Sequence, residues 1–281
     1  MSVRFWRRAR RTAILLGLLL FLGDIFLLEP NWIEVTRHEA WFKTLPPEFD
    51  GLVVAHLSDL HIVSYGLREH RVVSLLAEAK PGLMVMTGDF MTPRGDRAAV
   101  QRFLKDLQPL NTPFGVWAVL GNHEHTDSAA LGEEAMRRFF NEADVALLVN
   151  EGGRIGRGLD TLTLIGVDDP YTGYDRLWEA LKGMQRTPFA ILLSHSPEIF
   201  FKADLARFDL VLAGHTHGGQ VRLPWIGPLW LPPGSEKYEA GWFSGVNAKM
   251  YVTRGVGTSI VPVRFLCRPE IALITLKRGT G

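Results

Sequence analysis

The chain has 281 residues, enough for one large α/β domain or two smaller ones, and its 47% hydrophobic and 22% charged content supplies a sizeable core and excludes a disordered chain. A single cysteine, Cys267, excludes an intramolecular disulfide framework and a thiolate zinc site. The formal charge of +1 conceals an asymmetry: five arginines and no acid precede Asp24, and from residue 24 onward 26 basic residues face 30 acidic ones, so the folded part lacks the general basic footprint of a nucleic-acid binder.

Arg4, Arg7, Arg8, Arg10 and Arg11 lead into an apolar stretch, Ala13 to Leu28, interrupted only by Asp24. As a helix it is roughly 24 Å long, somewhat less than the roughly 30 Å hydrocarbon core of a bilayer. No A-x-A cleavage pattern follows, and Trp32 and Trp41 stand where an aromatic belt would, so the segment predicts an uncleaved membrane anchor rather than a removed signal or a core helix. Residues 1–45 read as anchor and linker, and residues 46–281 as one catalytic domain. If the segment spans, the arginine-rich end stays cytoplasmic and the domain lies outside. If it dips into one leaflet, the domain faces the cytoplasm; the sequence leaves both open.

Beyond it, apolar runs and helical periodicities alternate. Leu52–Leu57 is a strand ending at Asp59-Leu60-His61, and His70–Ala79 has helical spacing that stops at Pro81-Gly82. Leu83–Met86 runs into Gly88-Asp89, Ala98–Leu107 reads as a helix, and Gly115–Leu120 runs into Gly121-Asn122-His123-Glu124. A helix is predicted over Ala130–Phe140, then strands over Val145–Val149 and Thr161–Val167 around a turn containing Gly152, Gly153, Gly156 and Gly158. After a short helix at Asp175–Leu181, Phe189–Leu193 leads to Ser194-His195 and Leu210–Ala213 to Gly214-His215-Thr216-His217, with strands at Lys249–Thr253 and Ile271–Leu276.

Each of the five polar clusters thus follows an apolar run of the kind found in strands buried on both faces. Ligands in open α/β sheets bind beyond the carboxyl ends of strands, so five strands delivering these clusters to one sheet edge would bring distant residues together. The clusters offer two carboxylates (Asp59, Asp89), one carboxamide (Asn122) and five imidazoles (His61, His123, His195, His215, His217), an oxygen and nitrogen ligand set for two divalent ions with one His to spare. Glu124 is read as orienting its neighbours, and Gly88, Gly121 and Gly214 as permitting tight turns before ligands. His38, His56, His70 and His125 have no motif support and read as exposed or hydrogen-bonded histidines, His56 as one in the core; Asp168-Asp169 read as a turn or as an approach to the cleft.

Taken together, Asp59-x-His61, Gly88-Asp89, Gly121-Asn122-His123-Glu124, His195 and Gly214-His215-x-His217 resemble the calcineurin-like metallophosphoesterase superfamily. The extension Gly218-Gly219-Gln220, with Gly255-Val256-Gly257-Thr258-Ser259 and Pro262-Val263-Arg264, resembles its bacterial membrane-anchored branch. The resemblance covers roughly residues 50–277. It implies a four-layer α/β/β/α sandwich, here preceded by the N-terminal membrane helix. It implies one metal on Asp59, His61, Asp89 and His217 and a second on Asp89, Asn122, His195 and His215, with Asp89 bridging. His123 would contact the phosphoryl group and stabilise or protonate the leaving oxygen. Mn²⁺ is favoured by analogy, and Fe²⁺ or Zn²⁺ also suit these ligands.

Three readings of function follow. The branch includes UDP-2,3-diacylglucosamine pyrophosphohydrolases of lipid A synthesis, which implies a phosphodiester or pyrophosphate hydrolase acting on a membrane or lipid-linked substrate. An exported phosphodiesterase or phosphatase acting on cell-envelope or soluble phosphoesters is the alternative, and a non-catalytic metal-binding scaffold a remote one. The proline-punctuated segment Leu223–Pro233, with Trp225 and Trp230, reads as a rigid apolar loop that either covers the core or faces a membrane or acyl chain. A nuclease is disfavoured by the acidic balance, and a protein phosphatase by Phe90-Met91-Thr92 following Gly88-Asp89.

Overall fold

Strands buried on both faces need no alternation of polar and apolar residues, and here successive residues of one strand enter two different cores. Residues 3–93, 95–126, 132–182, 184, 187–202, 207–245 and 247–280 are described by the computed structural model. Helix α1 (Val3–Gly23) is continued by a wide helical turn over Asp24–Leu28 and a tight one over Glu29–Asn31. There follow β1 (Glu34–Phe42), β2 (Val53–Leu57), α2 (Leu67–Ala79), β3 (Leu83–Thr87), α3 (Arg97–Leu107), β4 (Val116–Val119), α4 (Asn122–Thr126), α5 (Glu133–Asn141) and β5 (Val145–Leu147). The second half comprises β6 (Glu151–Arg157), β7 (Asp160–Gly166), α6 (Leu177–Leu181), β8 (Ala190–Leu193), α7 (Ile199–Lys202), β9 (Leu210–Ala213), β10 (Arg222–Leu223), β11 (Gly227–Pro228), β12 (Gly241–Ser244), β13 (Lys249–Val252) and β14 (Glu270–Arg278).

Two six-stranded sheets result, in the orders β1-β14-β2-β3-β4-β5 and β12-β13-β9-β8-β7-β6. Val54, Leu83 and Val85 of the first sheet meet Leu164, Ile191 and Leu212 of the second in the central core. Their chain neighbours Ala55, Met84 and Met86 turn the other way, against Leu76 of α2 and Phe103 of α3. On the far side, Leu192 and Val211 pack with Ala180 of α6 and Ile199 of α7. This is the α/β/β/α sandwich, and its layers explain the unbroken apolar runs.

Three sequence expectations change. The five strands that carry polar clusters do not share one sheet: β2, β3 and β4 are parallel neighbours in the first, β8 and β9 in the second, and the carboxyl ends of both sets converge. Of the glycine-rich stretch only Gly158 lies in the turn; Gly152, Gly153 and Gly156 lie in strand β6, antiparallel to β7. Its glycines make room, since a Cβ on Gly153 would sit 2.3 Å from the Trp117 ring and one on Gly152 2.5 Å from Met184. Residues 34–42, expected within the linker, form an edge strand paired in parallel with β14, so Trp41 lies in the sheet rather than in an aromatic belt. Of the predicted helix at 130–140, residues 130 and 131 fall outside the described residues.

The α1 side chains from Ile14 to Leu22 are exposed, and the helix with its two extra turns forms a continuous stretch, Arg4–Asn31, long and apolar enough to cross a bilayer. Glu29 is buried where this stretch joins the domain and accepts the Cys267 N–H at 2.6 Å.

Candidate metal centre

Every candidate ligand lies just past a strand end, where the pleat no longer dictates which way a side chain points. The backbone there is unusual: Asp59, His61, Asp89, His215 and His217 all have positive φ, between 42° and 70°. Non-glycine residues enter this region at a cost, and such positions concentrate where function requires a particular side-chain direction. Gly88 shares the positive φ (84°), as a tight turn requires. Gly121 and Gly214 have a different reason: a Cβ on Gly121 would stand 2.3 Å from Asp89 Oδ1, and one on Gly214 2.5 Å from Asp59 Oδ2. These two glycines are cavities for carboxylates.

The side chains converge in two groups that share Asp89. In the first, His61 Nε2 and His217 Nε2 are 3.1 Å apart with their rings nearly parallel, His217 Nε2 lies 3.3 Å from Asp59 Oδ1, and His61 Nε2 lies 3.4 Å from Asp89 Oδ2. In the second, His195 Nε2 is 3.1 Å from Asn122 Oδ1, 3.0 Å from His215 Nδ1 and 3.3 Å from Asp89 Oδ2. Asp89 Oδ2 therefore lies between the groups, while its Oδ1 accepts the His123 N–H at 3.0 Å. The His123 ring, about one-fifth exposed, brings Nε2 to 3.9 Å from Asp89 Oδ2. All eight residues singled out in the sequence meet here.

Several groups hold them. Glu124, buried on α4, accepts the backbone N–H groups of Asp89, Phe90, Met91 and Gly121 at 2.8–3.1 Å, tying the loops after β3 and β4 together. The Asp59 carboxylate accepts the His215 N–H, joining the two sheets. His195 Nδ1 meets the Thr87 carbonyl at 2.7 Å; a carbonyl only accepts, so Nδ1 carries the proton and the Nε2 lone pair faces the centre. The outer ring nitrogens of His61, His215 and His217 are buried without a partner, so packing orients those rings, including the Tyr171 ring against His215 at 4.7 Å.

The donor set fits two cations. Donors about 2.0–2.2 Å from one ion stand roughly 3.0–3.5 Å from one another, the spacing observed within each group. Burial pushes His61 and His215 down to about 3, so both imidazoles are neutral at pH 7, the form that can bind a cation. Burial, with help from Asp89, raises Asp59 to about 6. Burial also opposes charge on His195, but Asp89, Asp59 and Asp169 outweigh it and hold His195 well above its ordinary value, so without a cation Nε2 carries a second proton, and a cation bound there would displace it and take over its attraction to the carboxylates. Asp59 and Asp89 pair with imidazoles, an arrangement of buried negative charge that favours a cation.

The remaining histidines are hydrogen-bonded. His56 is buried on β2 beside Thr87, His38 meets the Tyr251 hydroxyl at 3.0 Å, and the Tyr65 hydroxyl lies 3.5 Å from His70. His125 pairs with Asp168 at 2.6 Å and stacks on Tyr174. Asp169 accepts both the N–H and the hydroxyl of Thr172, forming a turn. Above the centre opens a cleft of about 530 Å³, lined by polar groups at its floor and by Trp230, Pro232, Ile260, Val261 and Pro262 at its wall. Reading the sequence did not assign Tyr171 or the 260–262 segment to the cleft.

Residues 52–219 match the model of the calcineurin-like phosphoesterase family. The metallophosphoesterase YkuE of Bacillus subtilis is 33% identical over 260 residues, covering 89% of this chain and 87% of its own. The phosphodiesterase YaeI of Escherichia coli is 30% identical over 259 residues, 90% of this chain and 92% of its own. LpxG of Chlamydia trachomatis, a UDP-2,3-diacylglucosamine pyrophosphatase, is 25% identical over 304 aligned residues, 88% and 90% of the two chains. Members of this family use divalent metals, and the groups Asp59–His61–His217, His61–Asp89–His123 and Asp89–His195–His215 each bring ligand atoms within 4.8 Å of one another. On the family match and on identity sustained across almost the whole length, the chain belongs to the calcineurin-like phosphoesterases and is a phosphoester hydrolase.

Proposed function

We propose that this enzyme cleaves a phosphodiester or pyrophosphate bond in a lipid-linked substrate of the UDP-2,3-diacylglucosamine type, at a membrane to which α1 anchors a single catalytic domain that takes in β1 as well as residues 46–281. The observation that carries this reading is the cleft itself, which pairs a floor of histidines and carboxylates with a wall of exposed apolar side chains. LpxG supports the chemical class.

Asp59, His61, Asp89 and His217 would hold one ion and Asp89, Asn122, His195 and His215 the other. Carboxylate, amide and imidazole donors, with the Cys267 thiol turned to the His217 carbonyl, suit Mn²⁺, Fe²⁺ and Zn²⁺ alike, and Mn²⁺ is the preferred metal by analogy with the family. When bound, the ions supply Lewis acidity to the phosphoryl oxygens and to water. The His123 ring faces the cleft, and its task is to give a proton to the oxygen of the departing group. Its backbone N–H donates to Asp89 Oδ1 and so holds in place the carboxylate that both ions would share.

The test is a ³¹P NMR time course of Mn²⁺-loaded full-length protein in detergent on UDP-2,3-diacylglucosamine, beside an Asp89→Asn control. The expected products are UMP and a lipid phosphate, formed by the wild type alone. Turnover of simple phosphodiesters with the lipid nucleotide left intact would overturn the substrate reading and favour phosphoesters of the cell envelope. The arginines in the first turns of α1 favour that second reading, since they would retain their end of a spanning helix in the cytoplasm and export the domain.

A further inference from the structure

The loop that walls the cleft is held from within by two polar side chains. Gln220 donates its side-chain amide to the carbonyls of Ser259 (3.1 Å) and Val261 (2.9 Å), and its Oε1 accepts the Ser259 N–H (2.8 Å). The wholly buried Arg264 donates to the carbonyls of Arg254, Gly255, Gly257 and Cys267. These two residues lie in the strings that resemble the anchored branch, and neither touches the metal ligands' donor atoms. What the loop turns outward is apolar: Ile260 is 86% exposed, and Val261 and Leu266 are about half exposed. Alongside it, joined through the pairing of Val221 with Phe265, the β10–β11 hairpin raises a fully exposed Trp225 and Ile226. An exposed apolar face on a loop whose carbonyls are in part taken up by Gln220 and Arg264 suits contact with lipid.

The same loop is fastened to α1 and its extension. Arg264 N–H donates to the Ile25 carbonyl at 3.0 Å, and the Phe265 and Phe21 rings meet edge to face at 5.4 Å. Phe21 lies about 10 Å of helix before Leu28, where the apolar run ends. A bilayer that accepts Ala13–Leu28 therefore reaches the level of Phe265, whether the helix crosses it or lies along its surface. Beyond that level the exposed Trp32, with the Arg268 guanidinium 3.8 Å from its ring centroid, suits the headgroup region.

We infer that the face formed by residues 258–266 and the β10–β11 hairpin inserts into the outer part of the bilayer that holds α1, so that the cleft opens at the lipid surface. An acyl-bearing phosphoester then reaches the metal centre laterally, without leaving the membrane. This inference rests on the membrane reading of α1 given above.

Cys267 is buried and is the only cysteine, so an introduced cysteine takes a label alone. An environment-sensitive fluorophore is attached in the full chain at Trp225→Cys, Ile260→Cys, Leu20→Cys in α1, or Leu159→Cys. Leu159 is also fully exposed but precedes β7, whose other end leads to the centre. Each protein is reconstituted in nanodiscs of phosphatidylcholine and phosphatidylglycerol with nitroxide-labelled acyl chains. Quenching at 20, 225 and 260 but not at 159 is the expected result. Quenching at 20 alone overturns the docking face and leaves the anchor standing; no quenching at 20 overturns both. A blue shift at 225 and 260 that needs no lipid and grows with protein concentration assigns the face to a second copy of the chain and also overturns the inference. In a kinetic arm, Trp225→Ser/Ile226→Ser should slow hydrolysis of the lipid nucleotide in vesicles about tenfold and leave bis(p-nitrophenyl) phosphate hydrolysis unchanged. Equal losses on both substrates would overturn it.

Discussion

Because Asp89 Oδ1 is occupied by the His123 N–H and Oδ2 lies between His61 and His195, this one carboxylate couples the backbone after β4 to imidazoles from both sheets. Asp89→Asn keeps the shape and removes the charge, so the expected outcome is protein that folds but binds less metal and has lost turnover; metal analysis beside circular dichroism checks it. His123 is different in kind. Its ring stands at the cleft, 3.9 Å from Asp89, and outside the two sets of four donors proposed above. His123→Ala should retain the metal content of the wild type and lower turnover by roughly 10²–10⁴. Loss of metal in that variant would show the ring to be a ligand. The eight residues were legible because each sits in a short string whose order reproduces a family pattern. Tyr171 and the His125–Asp168 pair were not, because nothing local in the sequence marks a contact across 43 residues. Gln220 and Arg264 were visible as letters of a motif, but their task of fixing a loop became readable only from the carbonyls they meet.

At the level of elements, the site depends on strand ends that approach more closely than side chains normally allow. Gly214 follows β9 and faces the loop after β2, where a Cβ would meet Ser58 Oγ at 1.9 Å as well as the Asp59 carboxylate. Gly214→Ala must push the two sheets' edges apart, so it should lower metal affinity and cost about 1–3 kcal/mol of stability, read from metal titration and chemical denaturation. The runs 83–86 and 210–213 announced themselves as strands by being apolar throughout. Strand β1 did not, because Glu-Val-Thr-Arg-His-Glu shows alternation too mixed to separate from a linker; its partner lies more than 200 residues away. The glycines of β6 read as a turn by composition, whereas the Trp117 ring lying over Gly153 is a tertiary fact.

For the whole molecule, acid should act through the interior as well as through the centre. His56 is wholly buried on β2, and burial lowers it to about 3, against about 6.5 in an unfolded chain. Above pH 6.5 both states are neutral and the full stability is present. Below it the unfolded chain takes up a proton that the folded one refuses, so stability falls by about 1.4 kcal/mol per pH unit until about pH 3. His56→Gln should therefore lose about 2 kcal/mol less than the wild type between pH 7 and 5, measured by urea denaturation in detergent. An equal loss in both proteins would mean that His56 takes no part in acid unfolding.

Strand β14 lies between β1 and β2, so residues 270–278 are hydrogen-bonded on one side to the segment that follows α1 and on the other to the strand that leads into Asp59. During synthesis those two early strands wait, unpaired with each other, until some 220 later residues have been made. The nascent chain thus holds an open sheet edge throughout its elongation, and the first carboxylate of the centre is seated only after this late strand arrives. If the domain is exported, the same ordering keeps the chain threadable until its passage is nearly complete.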